Sequence, residues 1–93
     1  MKQDIDIAVQ AGRMLLEAAH EVNQREIETH VYIDGLGKLE VRQVILGAAD
    51  STIATIHSWS SDQSNSDMWI VRLSNVQAIE VRDYSALSIH HNP

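Results

Sequence analysis

From Asp4 to Arg25 apolar residues return every three or four positions: Ala8, Ala11, Leu15, Ala18 and Val22, with Ile7, Met14 and Ala19 widening the stripe. Gln10, Arg13, Glu17, Glu21 and Gln24 fall on the other side, which is the mark of an amphipathic helix. Asp4 suits its N-cap, and Asp6 puts negative charge in the first turn, where the helix dipole favours it. Gly12 costs such a helix up to about 1 kcal/mol relative to alanine, which close packing offsets. The stripe predicts a helix covering one side of a sheet. Its alanines also suit a helix–helix dimer seam, where two backbones approach closely.

Beyond Arg25 the period drops to 2, the spacing of a strand. In "IETHVYID" Ile27, Thr29, Val31 and Ile33 share one face, and Glu28, His30, Tyr32 and Asp34 the other. "DGLGK" supplies two glycines for a tight turn, and "LEVRQVIL" follows. Antiparallel pairing about that turn sets Ile33 opposite Leu39, Val31 opposite Val41 and Ile27 opposite Ile45, with Tyr32 on Glu40 and His30 on Arg42 behind. A slip of one residue would mix the two faces.

A second hairpin is expected from "TIATIHSW" and "MWIVRLS", joined by the polar run Ser60 to Asp67. Setting Trp59 opposite Met68 puts Ala54–Leu73, Ile56–Val71 and Ser58–Trp69 on one face. Ile53–Ser74, Thr55–Arg72 and His57–Ile70 join the Trp59 pair on the other. The two tryptophans then point to opposite faces, Trp69 toward the core and Trp59 away from it. "VQAIEVRD" predicts a last strand with Ile79 and Val81 inward and Glu80 and Arg82 outward; residues 84–93 read as a tail.

One domain spanning residues 1–93 is expected: an α+β chain with a helix near 4–25 and about five antiparallel strands over 27–83. A sheet of that size in so short a chain is expected to curl, as a small barrel or an open curved sheet under the helix. Helix then five strands resembles the SH3/Sm-like strand order, and "VRLSNVQAIEV" is similar to the closing Ile-x-x-Ile segment of the Sm-like family. That family carries an Asp-x-Met-Asn-x-x-Leu type segment and an Arg-Gly pair. Here the middle reads "ADSTIATIHSW", and Arg72 runs on to Leu73 and Ser74. The residues that would hold RNA are missing, so the resemblance implies strand order and no function.

Composition narrows the partners. Net charge is −6, and the seven basic residues are scattered, so nucleic acid and anionic membrane are disfavoured. No phenylalanine is present, so the core must be aliphatic; no cysteine is present, which removes disulfides and thiolate chemistry. No apolar run approaches the roughly 18 residues of a membrane span, and "MKQDIDIAVQ" has acids where a signal peptide needs grease, so a cytoplasmic protein is expected.

Candidate chemistry is sparse. His20, His30, His57, His90 and His91 show no metal-ligand spacing, and no Gly-x-Ser-x-Gly elbow or phosphate-binding glycine loop occurs. No catalytic residue, metal or cofactor is expected, and the chain is not expected to be an enzyme. The leading expectation is a non-catalytic protein–protein interaction module that self-associates through Ile53, His57, Trp59, Met68 and Ile70, a face too apolar for plain water. One alternative is a small barrel binding single-stranded nucleic acid through Arg42, Arg72, Arg82 and Trp69; Tyr32, Trp59 and Tyr84 are further stacking candidates. Another is an acidic inhibitor or accessory factor seated on a basic surface of a larger protein.

Overall fold

A computed structural model describes residues 2–60, 62 and 64–83, with side chains from Ile7 onward. The tail 84–93, with Tyr84, His90 and His91, lies outside the described residues. The helix, α1, runs Lys2–Gln24, so Asp4 sits within its first turns and does not cap it. Five strands follow: β1 Glu28–Ile33, β2 Gly37–Leu46, β3 Ile53–Trp59, β4 Ser66–Arg72 and β5 Val76–Arg82, with a short 3-10 turn at Leu73–Asn75 between the last two. All pair antiparallel in one sheet of order β4-β3-β2-β1-β5.

The fold is α+β, but the sheet does not close into a barrel; β4 and β5 remain its two edges. The reason lies in α1. It packs on β1, β2, β5 and the 3-10 turn, and so covers apolar surface that closure would otherwise bury.

The buried side of α1 is turned one residue from the expected stripe. Gly12, Leu16 and Ala19 are buried, while Ile7, Ala11, Met14 and Ala18 face outward. Gly12 is the cause. A Cβ there would lie 1.8 Å from the Leu73 carbonyl oxygen, so only glycine lets the helix seat on that turn. Arg13, expected on the wet side, reaches across to donate to the Gly47 carbonyl at 2.8 Å, and Asn23 donates to the Val41 carbonyl at 3.1 Å.

Both hairpins keep the expected faces but close two residues tighter than the expected register. In β1–β2, Ile33 lies opposite Gly37, Val31 opposite Leu39, Tyr32 opposite Lys38 and His30 opposite Glu40. Gly35 and Gly37 both take positive φ, 85° and 88°, and Leu36 N–H donates to the Ile33 carbonyl, so the chain reverses within three residues. In β3–β4, Trp59 lies opposite Ser66, His57 opposite Met68, Thr55 opposite Ile70 and Ile53 opposite Arg72, with Ser58–Asp67, Ile56–Trp69 and Ala54–Val71 on the inner side. A shift of two preserves every face because side chains alternate with period 2.

The expected Ile27–Ile45 pair does not form. A bulge between Val41 and Gln43 carries β2 from β1 onto β3. β5 pairs with β1, setting Glu28 on Arg82, His30 on Glu80 and Val31 on Ile79. Ile79 packs against the core as expected; Val81 shares the inward face with Thr29 but stays exposed, because β5 is an edge. The core is aliphatic: Leu16, Val31, Val41, Val44, Ile56, Val71 and Leu73 are its chief members, and Trp69 packs at its margin.

Candidate interaction surface

Strand alternation divides β3 and β4 cleanly. Ala54, Ile56 and Ser58 of β3 turn inward, and Ser58 uses its hydroxyl to accept a 2.9 Å hydrogen bond from the Trp69 indole N–H. That bond satisfies two polar groups at the edge of the core and fixes Trp69 facing it. The residues between them, Ile53, His57 and Trp59, turn outward together with Met68 and Ile70 of β4. The five expected interface residues therefore share one outer face. Met68 and Ile70 are 63% and 65% exposed, Ile53 47% and Trp59 37%, while His57 is half-buried beside Met68.

Ile45 extends this patch and was not foreseen. The bulge adds one residue to β2, so inward positions change from odd (Leu39, Val41) to even (Val44, Leu46), and Ile45 turns out beside Thr55. Val41 and Val44, three apart in an otherwise alternating run, are the trace of this in the sequence.

Arg42 occupies the bulge. Its guanidinium lies 5.2 Å from the centre of the Trp59 ring and 3.5 Å from the Ser66 hydroxyl, covering part of the indole with a cation–π contact. Beyond Trp59 the loop is tied by its own polar atoms. Ser60 N–H donates to the Asn65 carbonyl at 3.0 Å; the Ser60 hydroxyl and Ser64 N–H donate to Asp62 at 2.6 and 3.0 Å. These bonds, Ser60's first, hold the Asp62 carboxyl down at about 2. The patch is thus bordered by an acidic group, Asp62, held by Ser60 and Ser64.

The rest of the outer surface is polar. Arg82 lies 3.3 Å from Glu28 and 3.4 Å from Glu80, and Lys38 lies 3.2 Å from Glu80 while sitting over the Tyr32 ring. Lys38's hydrogen bond, helped by Arg82, holds Glu80 below its ordinary value. His30 is buried in this group, with Nε2 3.5 Å from Glu28 and Nδ1 3.7 Å from Glu80. Sequence reasoning placed His30 on a wet face and had no means of seeing β5 close over it.

The four residues of the nucleic-acid alternative do not converge. Arg72 and Arg82 sit on opposite edge strands, Arg82 is engaged with two carboxylates, and the Trp69 indole faces the core. Among the described residues no three metal-binding side chains come together; His20, His30 and His57 lie on α1, β1 and β3. No described helix is long and apolar enough to cross a membrane. Comparison with known protein families, curated proteins and solved structures finds no match.

Proposed function

We propose that the chain is a non-catalytic protein–protein interaction module that self-associates through the outer face of the β3–β4 hairpin. One observation carries the reading: Ile53, Trp59, Met68 and Ile70 form a contiguous exposed apolar face on the last strand pair of an open sheet. Full burial of a side chain of this kind is favourable by about 1.5–3 kcal/mol, and a face with several such side chains is an interaction site by default.

The edge itself supports a second copy as the occupant. Among the described residues no strand lies beside β4, and Ser66–Arg72 contains neither proline nor lysine; its charges, Asp67 and Arg72, lie toward its two ends and leave Met68–Val71 uncharged. Antiparallel pairing of two β4 strands centred on Trp69 would set Met68 opposite Ile70 of the other copy twice over. The outer apolar face would then run unbroken across both chains.

The test is solution mass by light scattering, with melting followed by circular dichroism. Trp59→Ala should lower the assembled mass while leaving the helix signal and the cooperative melt in place. A native chain that stays monomeric at high micromolar concentration sinks the reading. So does global unfolding of Trp59→Ala, because the indole would then be core.

A further inference from the structure

The helix carries a second apolar face that no other described element covers. At about 100° per residue, Ile7, Ala11, Met14 and Ala18 fall in an arc of roughly 60°, centred about 140° round the helix from the buried Gly12–Leu16–Ala19 side. All four are exposed, Ile7 by 62% and Met14 by 68%. Their spacing, four then three then four, is that of a coiled-coil seam. Gln10, Glu17 and Glu21 border it as solvated side chains on one flank. Half-buried Ala8, Leu15 and Val22 border the other.

That spacing reads the same from either end, and the residue sizes complement themselves when one copy is reversed. Antiparallel, Ile7 lies level with Ala18 of a second copy and Met14 with Ala11, so each large side chain meets a small one and the backbones can approach closely. Parallel pairing instead stacks Ile7 on Ile7 and Met14 on Met14 and leaves the alanines facing each other across gaps, which cost stability. The antiparallel register also brings Glu17 near the uncharged Gln10. We infer that the outward face of α1 is a second self-association surface, on which another copy of this chain lays its own α1 antiparallel, with Ile7 over Ala18 and Met14 over Ala11.

This surface is separate from the β3–β4 face and stands whether or not that reading holds. If both surfaces act, one chain has two self-complementary faces and assembles past the dimer.

The chain's lack of cysteine makes the test clean. Ala11→Cys and Met14→Cys chains are mixed under mild oxidation. A disulfide should join unlike chains about tenfold faster than it joins either variant to itself, because a bridge needs Cα atoms within about 7 Å. Self-linking of Ala11→Cys at the mixed rate would show a parallel seam and overturn the register. Cross-linking no faster than that of a Gln24→Cys control overturns the interface itself and leaves the seam to some other occupant. A second reading uses the cysteine-free chain: Ile7→Glu with Met14→Glu should lower the mass at unchanged helicity, and an unchanged mass counts against the proposal. Association that survives Trp59→Ala but not the double glutamate variant leaves the helix seam standing and removes only the hairpin face.

Discussion

The outer surface of this sheet has two halves, built by the same alternation on the same strands, and they end differently. Over β5, β1 and the start of β2, acids and bases are paired: Glu28 faces Arg82 on the neighbouring strand, and Glu80 is met by Arg82 of its own strand and by Lys38 reaching across β1. Exposed pairs of this kind are screened by water and stabilise little, but they complete the surface, and nothing further needs to sit on it. Over β3, β4 and the end of β2, Ile45, Ile53, Met68 and Ile70 stand exposed among Thr55, His57 and Arg72, and Arg42 lies over Trp59. Satisfaction within the chain separates a surface from an interface here; burial alone does not, since His30 is more buried than any residue of the patch.

The comparison is broken most severely beneath both halves. Ile56 is wholly buried on the inner side of β3, and Ile56→Ala should cost about 3–4 kcal/mol, read by denaturant melts. Gly12→Ala strikes the joint between the halves, because Leu73 links β4 to β5 and its carbonyl leaves no room for a methyl group. A loss on the order of 2–3 kcal/mol is expected there, by overpacking. One layer outward the effect should collapse. Ile70→Ser, two strands from the polar half, is expected to change stability by less than about 0.5 kcal/mol while lowering the assembled mass. A cost near that of Ile56→Ala would mean that Ile70 is covered, and the two halves would no longer differ in kind.

How much of this was legible in the sequence depends on the range over which each signal acts. Which face each strand residue takes is a local matter, and the alternation around Val31, Ile56 and Trp59 gave it correctly. Register is not local in the same way. Both hairpins tightened by two residues because turn atoms, Gly35 and Gly37 in one and Ser60, Asp62 and Asn65 in the other, closed shorter loops than the apolar pattern required. Helix rotation turned on Gly12, whose value comes from a carbonyl 61 positions later in the chain. The pairing of β5 with β1, which buries His30, left no periodic trace at all. The candidate patch was readable because it needs only alternation; Ile45 was missed because one bulge inverts alternation, and only the Val41–Val44 spacing signals it.

The smallest effects sharpen the comparison furthest, since each half carries one exposed carboxylate held low by a different kind of neighbour. Asp62, at the rim of the apolar half, is drawn from 3.8 to about 2 by the Ser60 hydroxyl and by Ser64, all within one loop. Glu80, in the polar half, is lowered by Lys38 across the sheet and then by Arg82. For both groups the folded value lies below the unfolded one. Their contribution is therefore present above the unfolded carboxylate range, near pH 4, and is lost as pH falls through the folded values. The loop should accordingly loosen between about pH 4 and 2. Carboxyl carbon shifts followed by NMR separate the two. Lys38→Met should return Glu80 toward its ordinary titration and leave Asp62 near 2, and Ser60→Ala should do the reverse. If either substitution moves both carboxylates, the halves are electrostatically joined, and the division between a completed surface and one awaiting a partner fails at its rim.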